Sequence, residues 1–270
     1  MRRGRLAVVL AIGLLLAWWT VASAGSGINN RDLEAKLSKI FGPVKVLGTI
    51  PSTRIPGMTE VVVQGSRGQQ AVLFLTPDAK HFILGRYMEL ATGNDQTKDL
   101  AYEKGILSLP KGKKLKASGL DFKDSPTFGN PKGVPVTIFF CPLCPYCIKT
   151  LKNLKPLADE GKIYLRLKYF NVHGARGENA EIEAECIRRQ DKNPKEYWNY
   201  LFNNPHLEFP RSKKCPQKDV ILKMLERDRK DGEKVGVRAV PTLIIGKELF
   251  TGAPNGVALK KIIDKEGKKR

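Results

Sequence analysis

The sequence predicts an α/β (α+β) chain in two parts: a small unit of one helix and an antiparallel sheet, then a larger domain with a helical insert. Three observations carry this. Short β-rich runs separated by Gly/Pro turns fill residues 44–87. From Val134 the order becomes strand–helix–strand, three helical segments, then strand–strand–helix. At the first strand-to-helix step stands FFCPLCPYC, residues 139–147, with Cys141, Cys144 and Cys147 evenly spaced.

In order, NNRDLEAKLSKIF (29–41) predicts a short amphipathic helix, with Asp32 serving its N-terminus and Leu33, Leu37, Ile40 and Phe41 on one face. VKVLGTI, TEVVVQ, QQAVLFL and HFILGRY read as strands, broken by Pro51, Pro56-Gly57, a GSRG turn and a TPDAK turn. Such a meander is too small to bury a large core and gains stability by dimerising or by packing on another domain. Residues 96–124 gain charge and lose periodicity, which predicts a linker, helical over Thr97–Leu107. VPVTIFF is an apolar run of the kind found in a buried strand. Ile148, Leu151, Leu154 and Leu157 recur at helical spacing, with a kink expected at Pro156. KIYLRLKYFNV is the next strand, and helices follow at Asn179–Gln190, Pro194–Asn204 and Gln217–Asp231. VPTLIIG and KELFTG return to strand, and a helix begins at Asn255.

Composition restricts function. The chain has 270 residues, of which 41% are hydrophobic and 27% charged, a balance that suits a folded soluble protein with a sizeable core. Basic MRRGR, an apolar run and Ala22-Ser23-Ala24 form the pattern of a cleavable signal peptide over 1–24; a retained membrane anchor is the alternative. Removing those residues takes three arginines and no acid from the formal charge of +20, leaving 20 − 3 = +17. The lysines are dispersed and no arginine-rich motif interleaves aromatics, so the charge reads as a solvated surface and no nucleic-acid partner is expected.

Export makes disulfide chemistry the natural use of five cysteines, all after residue 140. Cys144-Pro145-Tyr146-Cys147 lies where a buried strand enters a helix. There the unpaired N–H groups and positive dipole end favour a thiolate at Cys144. Cys147, one turn in, can resolve a mixed disulfide. Cys144 is therefore assigned as nucleophile and Cys147 as resolving thiol, with Pro145 and Tyr146 tuning them. Cys141 extends the motif to Cys-x-x-Cys-x-x-Cys, the opening of an iron–sulfur cluster pattern, but the expected fourth ligand position is Leu151. Its readings are a small buried thiol, an extra redox partner, or a copper ligand; the first is preferred, and no metal or other cofactor is expected. His81, His173 and His206 are dispersed and read as surface or loop residues.

VTIFFCPLCPYC, GVRAVPTLIIGKELFTGA and IPGMTEVVVQGSRGQQAVLFLTPDAKHFILGRYMEL together resemble the thioredoxin superfamily, and within it the bacterial periplasmic disulfide isomerases of the DsbC/DsbG type. The resemblance spans nearly the whole chain after residue 24. It implies a dimerisation domain over 25–95, a linker over 96–124 and a catalytic thioredoxin fold over 125–270 with an insert about 174–232. It implies a V-shaped homodimer whose cleft receives misfolded or disulfide-containing exported proteins, and a membrane-bound thiol electron donor of the DsbD type. It implies that Pro241 is cis against Cys144 and that the Val240 backbone binds the substrate peptide. It also implies a structural disulfide between Cys186 and Cys215, worth roughly 3–4 kcal/mol for a loop of about 30 residues on the chain-entropy model.

Two positions depart from the pattern. Ile138 occupies the place of the buried acid of thioredoxins, which favours the isomerase branch. Val240, where the isomerases more often have threonine, points to the oxidase DsbA. The activity expected is disulfide isomerisation or reduction, with a DsbA-like dithiol oxidase as the alternative and a holdase chaperone or copper-binding protein as the alternative of another class.

Overall fold

The computed structural model describes residues 29–90, 93–115, 119–190, 195–203, 215 and 217–269. The signal segment, Pro194 and His206 lie outside the described residues. Among those described, no helix is long and apolar enough to cross a membrane.

Helix α1 (Asn30–Phe41) is capped by Asn29, whose side chain accepts from the backbone N–H of Arg31 at 3.0 Å. Asn29 is the side-chain cap, and Asp32 serves the N-terminus from the first turn, where an acid favours the dipole. The apolar face is shorter than the spacing predicts: Leu33 and Leu37 are buried, whereas Ile40 and Phe41 are 61% and 45% exposed. The chain leaves the helix at Gly42, with φ +78°, and turns straight into the sheet. The last turn therefore overhangs, with Phe41 meeting Phe82 edge-on.

Strands β1 (Val44–Pro51), β2 (Thr59–Gly65), β3 (Gln70–Leu75) and β4 (Phe82–Ile83) form an antiparallel sheet in chain order. HFILGRY yields only the two residues of β4, because the Tyr87 N–H goes to Thr97 Oγ1 and the Tyr87 carbonyl to Gln96. Val61 and Val63 of β2 pack with Val46, Leu73 and Leu75 beneath Leu33 and Leu37 of α1. Val62, on the opposite face, packs with Ile50 and Val72. Their cover is Leu100, Ala101 and Tyr102 of α2 (Asp99–Glu103), together with Leu107 and Ala258. Both faces of β2 are thus dry, which explains three consecutive valines in an antiparallel strand.

The second sheet runs β5-β10-β9-β7-β8-β6. Its strands are β5 (Lys113–Lys114), β6 (Thr127–Gly129), β7 (Val134–Phe140), β8 (Ile163–Tyr169), β9 (Thr242–Ile245) and β10 (Glu248–Thr251). β7 is central, parallel to β8 and antiparallel to β9. Helix α3 (Pro145–Asp159) connects β7 to β8 and continues through Pro156 for three more residues. It buries Leu151, Leu154 and Leu157 against the sheet. Gly129 ends β6 at φ +95°, where a Cβ would collide with the Ile163 carbonyl oxygen.

Between β8 and β9 come α4 (Gly174–Gln190), α5 (Lys195–Asn203) and α6 (Lys218–Val235). α4 starts more than a turn before the expected Asn179. Gly177 allows this, because a side chain there would run into Asn171. Cys186 and Cys215 are joined by a disulfide across the insert. α7 (Gly256–Gly267) closes the chain, capped by Asn255, whose Oδ1 accepts from the backbone of Val257 and Ala258. The Asn255 amide donates to Asp99 at 2.6 Å, tying α7 to α2.

The insert is anchored by a buried charge. Lys168 of β8 has no exposure, and its Nζ lies 2.7 Å from Asp228 and 2.8 Å from Asp231, both on α6. It also donates to the Asp121 carbonyl at 2.6 Å. Replacing Lys168 with Met leaves Asp228 and Asp231 together without their cation. A loss of about 3–5 kcal/mol is expected, read as a lower urea midpoint than wild type.

Candidate active site

The site lies where β7 ends. After Phe140, residues Cys141 to Cys144 make a tight turn, with the Cys144 N–H donating to the Cys141 carbonyl at 3.0 Å. Cys144 is the N-cap of α3, in an extended conformation, and Pro145 takes the first helical position, where its missing N–H costs nothing. The Cys144 carbonyl then accepts from Cys147 N at 2.9 Å and Ile148 N at 3.2 Å. The helix thus starts immediately beneath the leading sulfur.

Attack on a substrate disulfide takes a reachable leading thiol, and Cys144 is only 6% exposed; Cys141 and Cys147 are fully buried. Pro145 and Tyr146 project into solvent beside it. The opposite wall is the Val240–Pro241 peptide bond, the one cis bond among the described residues. Cys144 Sγ lies 3.8 Å from the Val240 carbonyl oxygen. Pro241 is buried while Val240 stays half-exposed. This strip of backbone at the sulfur therefore meets solvent at Val240. Ile138 is in the core, with no exposure.

Residues 122–265 match the family model described as Thioredoxin, and residues 23–98 match the one described as Disulfide bond isomerase protein N-terminal domain. The chain belongs to the thioredoxin family. It is a thiol–disulfide oxidoreductase of the DsbC type within that superfamily. Among solved structures it is similar to Proteus mirabilis ScsC in a compact conformation, at 20% identity and a TM-score of 0.49, covering 63% of this chain and 87% of that one. It is also similar to the catalytic domain of Proteus mirabilis ScsC, at 19% identity and 0.47, covering 53% and 89%. A third is the thiol-disulfide exchange protein alpha-DsbA2 from Wolbachia pipientis, at 23% and 0.44, covering 52% and 86%. No curated protein matches the sequence.

Within this thioredoxin domain the three sulfurs are electrostatically unequal. The Cys144 thiol is brought down to about 6. The largest cause is the hydrogen bond donated by the Cys147 thiol; the backbone N–H groups of Cys147 and Tyr146 and the charge of His173 add to it, against the opposing effect of burial. Cys147 is driven far up by burial and by its own hydrogen bond to Cys144. Burial pushes Cys141 up to about 12.

Two residues near the sulfurs were not legible as site residues. His173 sits in the loop after β8, exposed as expected of a loop histidine, yet its Nδ1 is 3.3 Å from Cys141 Sγ. The available signal was the parallel pairing of two apolar runs, which sets Phe140 opposite Tyr169 and brings the segments after them together. Glu181 of α4 is 3% exposed, and its Oε1 has no hydrogen-bond partner among the described residues. Burial, reinforced by Asp228 and Glu178, pushes it up to about 9. His81 is remote, in the turn beside Asp78. Among the described residues no group of three or more His, Cys, Asp or Glu is arranged to hold a metal ion.

The lowered Cys144 thiol has a direct readout. Alkylation of the fully reduced protein by iodoacetamide should modify Cys144 first, with a rate that rises through a midpoint near pH 6. The same shift stabilises the folded reduced form. That contribution is complete above about pH 9, the ordinary thiol value, and is lost as pH falls through about 6. A midpoint near 9, or alkylation shared equally with Cys147, contradicts this arrangement.

Proposed function

We propose that this chain is an exported, homodimeric disulfide isomerase acting through Cys144 and Cys147. The observation that carries the proposal is the coexistence of a low-pKa helix-capping thiol beside a cis-Pro241 strip and an N-terminal domain of the isomerase type.

In the first step the Cys144 thiolate attacks one sulfur of a substrate disulfide. A mixed disulfide forms and a substrate thiolate leaves. That thiolate can attack another disulfide of the same substrate and finally displace Cys144, so that bonds are exchanged with no net redox change. Alternatively Cys147 loses its proton and attacks Cys144 Sγ. This releases the substrate with two thiols and leaves the enzyme as the Cys144–Cys147 disulfide. Return to the dithiol then takes two electrons from a thiol donor, the role assigned to a membrane-bound DsbD-like partner. Formation of the mixed disulfide removes the anion that Cys147 faced, which makes the second thiol easier to ionise.

Val240 and Pro241 are assigned to receive the substrate backbone, Pro145 and Tyr146 to tune the thiols, and the Cys186–Cys215 disulfide to fix the insert. The N-terminal unit is assigned to dimerisation, which would cover some of its exposed apolar residues, among them Ile40, Phe41, Ile83 and Leu84. The signal pattern at residues 1–24 supports export to the periplasm. Val240 favours a second reading, a DsbA-like oxidase.

Reactivation of scrambled ribonuclease separates the readings. Reduced wild-type protein should restore activity, Cys144→Ala should lose at least two orders of magnitude, and Cys147→Ala should accumulate a mixed disulfide with substrate. Rapid oxidation of reduced ribonuclease without rescue of the scrambled form assigns the oxidase role. Full protection against aggregation by Cys144→Ala with no exchange activity in wild type assigns the holdase role.

A further inference from the structure

The exchange chemistry leaves one contact of the site unused. Cys141 Sγ faces His173 Nδ1 at 3.3 Å, and the Cys141 side chain is otherwise enclosed in the core. The loop that delivers His173 is a built structure. Phe170 N donates to the Phe140 carbonyl at 2.8 Å, extending the β7–β8 pairing by one bond. Asn171 Oδ1 accepts from His173 N at 2.8 Å, and the Asn171 amide donates to the Gly174 carbonyl at 2.7 Å. Gly177 of α4 packs against this loop; a Cβ there would lie 3.2 Å from His173 Cβ. The start of α4 thus fixes His173 at its Cβ, and its imidazole reaches the Cys141 sulfur.

We propose that His173 is the electrostatic partner of the Cys144 thiolate, and that Cys141 is a positioning residue that holds the imidazole in that place. The proposal rests on the reading of Cys144 as nucleophile. Neither Pro145 nor Tyr146 carries a positive charge, so a cationic contribution beyond the Cys147 thiol and the backbone N–H groups comes from outside the Cys-x-x-Cys loop. His173 supplies it, as one of several influences that bring Cys144 down.

The Cys141 contact suits this task in both states of the ring. With neutral imidazole, the Cys141 S–H donates to Nδ1 and the ring proton sits on Nε2. With imidazolium, Nδ1–H donates to the Cys141 sulfur. Because burial holds the Cys141 thiol at about 12, the sulfur remains a neutral partner and does not compete for the positive charge. Around it stand Cys144 on the turn, Cys147 on α3, Glu181 on α4 and Tyr200 on α5. Glu181 is pushed up to about 9, so it is protonated at neutral pH and adds no rival anion.

The test measures Cys144 ionisation by thiolate absorbance, and the dithiol–disulfide equilibrium in glutathione buffers, on the full chain. His173→Ala should raise the Cys144 pKa. For a one-unit rise from about 6, the reduced form loses about fivefold of its stabilisation at pH 7 and almost none at pH 5. His173→Lys, which restores a charge, should recover most of this. Cys141→Ala should shift Cys144 in the same direction, Cys141→Ser should stay near wild type, and the double Ala variant should go no further than His173→Ala. If Cys141→Ala fails to fold, Cys141→Ser and the two His173 variants still decide the matter. Unchanged Cys144 ionisation in His173→Ala, or equal loss in His173→Ala and His173→Lys, overturns the role of His173. Additive shifts of the Cys141 and His173 variants overturn the positioning role. Failure of the exchange reading itself looks different: exchange activity then survives Cys144→Ala, whatever His173 does.

Discussion

The hydrogen bonding of β7 to β8 on one side and β9 on the other is the constraint on which the site depends. The parallel register sets Phe140 opposite Tyr169, and the antiparallel register sets Phe139 opposite Thr242. The end of β7, the end of β8 and the start of β9 therefore meet at one edge of the sheet. The first brings the cysteine turn, the second His173 and the third the Val240–Pro241 bond. The backbone ladders set the spacing of these three segments.

Burial then differentiates chemically identical groups. Three thiols within seven residues share one cluster of the core, yet only the one at the helix cap is favoured as an anion. The other two lie deeper and remain protonated. The Cys147 proton is what stabilises the Cys144 anion most, so the two form one functional pair with unequal members. The insert is held differently, by Lys168 between two aspartates and by the Tyr169, Tyr197 and Glu185 hydroxyl–carboxylate chain. Both anchors start from β8, directly behind the site.

Much of this was legible in the sequence because local patterns agree with tertiary burial. VPVTIFF reads as an interior strand and is one; Leu151, Leu154 and Leu157 mark the buried face of α3. The cysteine motif stands at a strand-to-helix step whose physics can be read without coordinates. Legibility failed where the answer depends on distant partners. Ile40 and Phe41 satisfy the helical period but lie in the exposed last turn before the chain bends at Gly42. The apolar run HFILGRY loses its strand to hydrogen bonds with Thr97 and Gln96. The helix expected from Asn179 begins at Gly174, and only the approach of Asn171 makes Gly177 a requirement. His173 and Glu181 acquire meaning only from the loop and helix packed over the sulfurs, and no local spacing encodes that.

The double burial of β2 has a mechanical consequence. Val62 and Ala258, both without solvent exposure, belong to one apolar cluster contributed by the first sheet, α2 and the start of α7. Swinging the thiol domain away from the first sheet would wet that cluster and break the Asn255–Asp99 bond and the Lys261 contact with the Tyr102 carbonyl. Within the chain the two halves are accordingly coupled as a single lever arm rather than as beads on a string.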